Sequence, residues 1–436
     1  MTSKKPQKIG LITTTSLVIG NMIGVGIFVL PTTLAEFGSI SLLGWVFTAA
    51  GAIILAKIFS NLSKIIVNKS GGPYVFSREG FGDFIGFLVA WGYWICVWLG
   101  NGAIVIGVVG ALSFFFPVLK TDPLMALGVS LALIWLFTWV NSRGIKESGK
   151  FQVVTTVLKV VPLLFIIIFG VFFFKIENFP AFNLTSESNF LTLPAVSVYT
   201  LFAFLGLESA SIPAGNVKDP DITVPKATMI GTIFTAIIYI LATIVLFGIL
   251  PNSVLRDNPK PFADAAQLIA GDFGGYFIAV GVVISGIGVL NGWILISAQV
   301  PMATARDELF PKIFKKENKN GAPVYGLVIG STLTSIGMIA SYGGGLAEQF
   351  KMIADVSVFA VLVPYLLTSA AYILIVIERK LHLNSVIKTF VLGGLGFTFS
   401  LWAIFGSGAD TVFYGFILLL LGIPFYLIMR YNKRVK

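Results

Sequence analysis

Apolar stretches long enough to cross a hydrocarbon core, about 20 residues each, recur along the chain. They fall near 10–35, 41–67, 83–116, 124–141, 148–174, 192–215, 225–250, 273–303, 324–342, 348–377, 384–404 and 411–431. In a bilayer every backbone polar group must be satisfied within the protein, and open strands cannot manage that, so each stretch reads as a helix. Composition agrees. Of 436 residues 56% are hydrophobic and 11% charged, with mean hydropathy +0.92, whereas a soluble domain carries about 25% charged residues. The expected fold is an all-α integral membrane protein with twelve transmembrane helices. No low-complexity linker divides it, so residues 1–436 read as one membrane domain.

A net charge of +10 would ordinarily raise the question of nucleic acid. The basic residues instead cluster in alternate loops, which is a topology signal and not a binding face. With the N-terminus inside, the inner segments carry Lys4, Lys5 and Lys8, Lys64, Lys69 and Arg78, Arg143, Lys146 and Lys150, and comparable groups through Lys380 to Lys436. The outer segments carry only Lys120, Lys175, Arg256, Lys260 and Lys351. Both termini are expected in the cytoplasm and the chain in a cell inner membrane, with no nucleic-acid partner. The short basic N-terminus leads into a segment much longer than a signal-peptide core, so no cleavage is expected. Cys96, the single cysteine, lies inside a span and excludes an intrachain disulfide. Two basic residues fall within spans. Lys57 is close enough to Lys64, about 10 Å by helical rise, to snorkel, and no role is assigned to it. Lys159 is deeper, roughly 14 Å past Lys150.

The first span contains its own interruption. Gly20, Asn21, Gly24 and Gly26 fall within seven residues of an apolar run, and each glycine costs a helix roughly 1 kcal/mol against alanine. Close packing through small residues would explain that pattern. The sixth span repeats it, however: Gly206, Glu208 and Ser209 disrupt the run from Thr200 to Ala210. The two spans occupy corresponding places in two five-helix halves, 1–174 and 192–377, with 384–431 as two accessory helices. Paired interruptions of this kind mark an inverted-repeat transporter whose broken helices build a midplane site.

An acid at mid-membrane costs about 2.5 to 3.5 kcal/mol on insertion scales, so Glu208 is expected to face the bundle interior and to carry protons or hold the broken helix by a hydrogen bond. A fixed ammonium at Lys159 can take the place of a coupling cation or exchange a proton. Asp355 is either a helix cap or part of the site. Tyr93, Trp94, Trp98, Trp293 and Tyr365 stand out because Asn101, Asn291, Gly292 and Ser357 accompany them; an indole face over a cation is worth up to about 2 kcal/mol when dry. The inner flank Ser70 to Tyr74 reads as a turn. The loop from Arg306 to Pro323, with Leu309, Phe310, Ile313 and Phe314 among lysines, is expected to lie along the inner surface.

Gly20 to Phe28, Gly71-Gly72-Pro73-Tyr74, Phe204 to Ala210, Asn216 to Pro220 and Val363-Pro364-Tyr365 resemble the amino acid-polyamine-organocation superfamily over essentially the whole chain. Within it the likeness is to the basic amino acid and polyamine antiporters of the arginine/agmatine kind. The resemblance implies a leucine-transporter fold of ten core helices plus two, often a homodimer, that exchanges a small-molecule amino acid or its amine. It also implies that the backbone of Gly24, Val25 and Gly26 receives a substrate carboxylate at a helix N-terminus, where the dipole favours it. Carbonyls around Met22, Phe202 and Leu205 would receive the α-ammonium. Asn101, the carbonyls near Cys96 and the face of Trp293 would hold a distal cation, with Trp293 and Ser357 as a middle gate at the substrate. Tyr74, Tyr93, Glu208, Tyr365 and Lys159 would serve gating and proton coupling. Neither a metal nor a cofactor is expected. Val25 stands where such antiporters carry a serine, Phe202 where they carry a tryptophan, and Lys159 resembles the lysine of proton-coupled or sodium-independent permeases.

Two further readings remain. One is a proton-coupled permease for less charged amino acids, favoured by Val25 and Lys159; a sodium-coupled carrier is its variant. The other is a membrane-embedded enzyme, against which stand a lone histidine, His382, in an inner loop and the absence of an HExxH or GxSxG motif.

Overall fold

The computed structural model describes residues 9–66, 69, 71–143, 148–212, 214, 217–256, 258–341, 343, 345–379 and 383–434. The readings that rest on Lys4, Lys5, Lys8, Ser70, Lys146, Asn216, Lys380, His382 and Lys436, and on the side chains of Lys150, Lys433 and Arg434, fall outside this set.

Described in chain order, the helices are α1 Leu11–Met22, α2 Gly26–Phe37, α3 Ile40–Ile65, α4 Pro73–Phe81, α5 Asp83–Leu112, α6 Val118–Thr121, α7 Pro123–Ser142, α8 Ser148–Gly170, α9 Asn189–Phe204, α10 Pro220–Ile249, α11 Asn252–Leu255, α12 Pro261–Arg306, α13 Val324–Ala340, α14 Leu346–Glu378, α15 Leu383–Gly406, α16 Ala409–Leu420 and α17 Gly422–Arg434. Among the described residues the only extended pairing is an isolated parallel bridge between Ile9 and Val217. Each expected apolar stretch holds a helix. Ten are long and apolar enough to cross a membrane, with α1 and α2 together forming one and α16 and α17 another. The chain is thus a multi-pass membrane protein. α9 and α13 are apolar but shorter, at 16 and 17 residues.

Local chemistry sets the boundaries. Asp122 caps α7 by accepting from the amides of Leu124 and Met125 at 2.9 and 3.1 Å, and Pro123 occupies the first turn, where its missing N–H costs nothing. α12 runs for 46 residues but breaks its dihedrals at Ala270 and Gly271, so the span expected at 273–303 begins just past the kink. α5, with 30 residues, is about 45 Å long at 1.5 Å per residue and exceeds a hydrocarbon core of about 30 Å. Almost all of it is buried, because α12 and α14 pack along its length. α10 packs on α3 and α1, and α8 on α12 and α1. α7 and α16 keep exposed apolar faces such as Leu124, Trp139, Phe413 and Leu420, as expected of surfaces that meet lipid.

Two expectations need correction. Asp355 lies well inside α14 and accepts a hydrogen bond from Tyr199 Oη at 3.2 Å, so it does not cap a helix. The loop after Arg306 does not lie flat on a surface. Leu309, Phe310 and Phe314 are buried, with only Ile313 exposed, and the Phe310 and Phe314 rings stand 5.9 and 5.7 Å from Trp94 on α5. Aromatic burial against α5 outweighs what the same rings would gain in the bilayer interface. Lys57 is on an exposed face of α3, where its stem can snorkel.

Candidate functional site

α1 stops at Met22 because Ile23 leaves helical dihedrals, at φ −75° and ψ 89°. Residues 23–25 then carry no α-helical turn before α2 starts at Gly26. Freed carbonyls in a membrane interior need donors, and side chains from three other helices supply them. Lys159 Nζ on α8 donates to Gly20 O at 2.8 Å, and Trp293 Nε1 on α12 to Asn21 O at 3.4 Å. Tyr239 Oη on α10 donates to Met22 O at 2.6 Å, and Ser285 Oγ on α12 lies 3.5 Å from Ile23 O. On the other side of the break, the first amides of α2 have no intrahelical acceptor and mark the positive end of its dipole.

The sixth span unwinds in a different way. α9 ends at Phe204, Leu205 is extended at φ −60° and ψ 134°, and Gly206 adopts φ +104°. Residues 207–212 continue as tight turns, held by Ser209 N to Gly206 O at 2.9 Å and Ser211 N to Glu208 O at 2.8 Å. Among the described residues, no α-helix resumes before α10. A Cβ on Gly206 would lie 3.1 Å from the backbone carbon of Asn21, so the two breaks touch, and glycine is required by both dihedral and space. Tyr239 spans them, its hydroxyl lying 3.1 Å from Ala203 O as well as on Met22 O.

Beside this contact is a cavity of about 30 Å³, room for two or three waters at roughly 10–15 Å³ each. Met22, Gly24, Val25, Gly26, Cys96, Phe202, Leu205 and Trp293 line it, as do Asn21, Gly100, Ile104, Ala203 and Val289. The wall nearest α2 is apolar. Val25 itself is wedged into α5 and α12: a Cβ on Gly107 or Gly286 would come within 2.9 and 2.7 Å of its side chain. Asn101 and Ser357 are not on this wall. Asn101 is buried in α5 with its Oδ1 unpartnered, and Ser357 Oγ donates to Cys96 O at 2.8 Å behind Gly100. Phe202, on the cavity wall, meets Phe350 edge to face, 5.3 Å between centroids.

Toward the α4 end, Glu208 is fully enclosed. Tyr93 Oη donates to its Oε1 at 2.6 Å and Tyr365 Oη to its Oε2 at 2.8 Å, which ties α5, the second break and α14 together. Farther along, Tyr74 Oη donates to Asp307 Oδ2 at 2.6 Å, and Arg78 Nη1 pairs with the same oxygen at 3.0 Å. Burial first, then the hydrogen bond and charge of Asp307, push the Tyr74 phenol above its usual range. Trp94, in contrast, is a packing residue that donates to Ser297 O at 2.8 Å. Asn291 accepts from Asn141 Nδ2 at 2.9 Å, in the contact between α7 and α12. The sequence reading missed Tyr239, Ile104 and Val289, because a tyrosine or a branched residue in an apolar helix looks like ordinary core.

Known proteins are similar to this chain over most of its length. A family model for amino acid permeases matches residues 9–429. The chain is similar to the arginine/agmatine antiporter of Chlamydia pneumoniae, 33% identical over 98% of this chain and 90% of that one. It resembles the arginine/ornithine antiporter of Pseudomonas aeruginosa at 31%, covering 94% and 88%, and the arginine/agmatine antiporter of Chlamydia trachomatis serovar L2 at 32%, covering 96% and 89%. With two touching helix breaks beside a cavity and a match to transporters over nearly its whole length, the chain belongs to the amino acid permease family and is a transporter, not an enzyme.

Proposed function

We propose that the protein exchanges a cationic amino acid and/or its decarboxylated amine across the inner membrane, in the manner that the names of its arginine/agmatine and arginine/ornithine relatives describe. In this reading the fold is the twelve-helix leucine-transporter type, α9 and α13 being the two short spans. The halves 1–174 and 192–377 alternate about the site, 384–431 is accessory, both termini are cytoplasmic, and two copies pair as a homodimer. The observation that carries it is the contact of Gly206 with Asn21 beside the cavity. It brings the open amides of α2, suited to a carboxylate, together with carbonyls of both breaks, suited to an ammonium. The Trp293 indole on the wall offers a cation its ring face. Glu208 with Tyr93 and Tyr365 forms the gate toward the cytoplasm, and Tyr74 the closure beyond it. Entry of substrate requires Phe202 to part from Phe350, since the cavity is smaller than an amino acid.

A second reading, a proton-coupled permease for less charged amino acids, is favoured by the apolar wall at Val25 and by Lys159 on Gly20 O. Counterflow in proteoliposomes with labelled arginine, ornithine, lysine, putrescine and leucine separates the two. Exchange moves label only when substrate is present on both faces and favours the cations. Uptake of leucine into empty liposomes, driven by a proton gradient, would sink the exchanger.

A further inference from the structure

α14 packs on α4 with its later turns, and near its start a group of charged residues joins it to α2 and α9. Lys351 Nζ on α14 pairs with Glu36 Oε2 on α2 at 2.9 Å and lies 5.6 Å from the centre of the Tyr199 ring on α9. Tyr199 Oη donates to Asp355 Oδ2, one turn farther along α14, at 3.2 Å. Next to Lys351 in the chain, Phe350 packs on Phe202 of the cavity wall. Glu36 and Lys351 remain 44% and 34% exposed, so water, and a solute, reach them from outside.

A carboxylate in line with an aromatic face is what an ammonium or guanidinium seeks: the first supplies charge-assisted hydrogen bonds, and the second attracts a cation within about 6 Å. Here both already hold a cation, and it is one the chain provides itself. The group has two carboxyl groups, Glu36 and Asp355, for one lysine, Lys351, which pairs with Glu36; among the described residues no ammonium pairs with Asp355. A half-exposed pair such as Glu36 with Lys351 is also weak, worth about 0–1 kcal/mol, and easily exchanged.

We propose that this group is a reception site for the cationic end of an incoming substrate, with the Lys351 ammonium standing in its place until it arrives. The substrate cation takes Glu36 and the Tyr199 face, and Lys351 moves toward Asp355. The clasp between α2 and α14 is thereby released, which frees Phe350 to leave Phe202 and opens the cavity below. The inference rests on the reading that the substrate is cationic and that this end of the bundle faces outward.

The test compares Glu36→Gln with Lys351→Met in proteoliposomes loaded with arginine, reading the external KM and kcat for labelled arginine at low and high salt. Glu36→Gln removes a ligand, so it should raise KM about two- to fivefold, the scale of one screened charge contact. Lys351→Met removes the competitor and should lower KM. Asp355→Asn should act like Glu36→Gln, Lys351→Arg should restore the wild-type value, and salt should shrink every difference. A clasp that merely holds helices predicts that Glu36→Gln and Lys351→Met move KM in the same direction. That result, or no shift in either, overturns the reception site while leaving the exchanger intact. A wild-type protein that carries no cationic substrate removes both.

Discussion

Gly206 tests the contact of the two breaks most directly. Its φ of +104° is unfavourable for any L side chain, and a Cβ would press on Asn21 at 3.1 Å. Gly206→Ala should therefore cost about 1–3 kcal/mol, lowering the thermal midpoint in detergent and slowing exchange. Gly10→Ala, where no atom lies within 4 Å, should do neither, and equal effects of the two would refute the contact. Tyr239→Phe isolates a second atom. Losing one hydroxyl leaves Met22 O without its 2.6 Å donor and takes away the polar neighbour 3.1 Å from Ala203 O, a cost of about 1–3 kcal/mol for a buried group left unpaired. The ring still packs against Trp45 and Phe204, so Tyr239→Ala should be markedly worse. Both measurements follow thermal unfolding of the purified variants. These two residues also show what a sequence can display. Gly206 and Glu208 are legible because a glycine and an acid are out of place in an apolar span. Tyr239 is not, since its hydroxyl acts on carbonyls far from it in the chain, and nothing in an apolar helix distinguishes a bridging tyrosine from a packing one.

Among elements, α4 is fastened to the end of α12 through Tyr74, Arg78 and Asp307. Arg78 and Asp307 are 31% and 42% exposed, so their pair is screened and worth about 0–1 kcal/mol. The Tyr74 hydroxyl donates to an ionised carboxylate from a more buried place, which is worth about 1.5–3 kcal/mol. Tyr74→Phe should consequently open this end more often. Cys96, the only cysteine and a wall residue of the cavity, reports it: an impermeant thiol reagent applied from the α4 face should react about tenfold faster, the change that 1.4 kcal/mol gives, and substrate should protect. Unchanged labelling would mean that Tyr74 does not close the path. The pH dependence has a definite sign. A phenol raised above its ordinary 10.0 keeps its proton when folded, so its contribution is complete at neutral pH and is lost only as pH rises past that ordinary value. Labelling should be flat in pH below it as far as Tyr74 is concerned. The spans themselves could be placed from apolar run length. The kink at Ala270 and Gly271 and the return of Phe310 and Phe314 onto α5 could not, because hydropathy records how apolar a segment is and not where it turns.

For the whole molecule, the cavity holds about 30 Å³, with Phe202 of its wall packed on Phe350 and Glu208, just past the second break, held by its two tyrosines. In the proposed reading a space this small holds no substrate until one of these contacts parts. Lys159 bears on what holds the first break in the meantime. Its amine is 1% exposed and donates to Gly20 O at 2.8 Å, against the first broken helix. The proposal that this lysine takes the place of a coupling cation requires no metal ion between α1 and α8. Replacing external sodium with choline should therefore leave arginine exchange within about twofold, a difference of less than 1 kcal/mol in the barrier. Lys159→Gln keeps a donor for Gly20 O but removes the charge; it should fold yet slow exchange, with no rescue by sodium. A strict sodium requirement in the wild type would show that the ammonium does not fill this place and that coupling runs through another site.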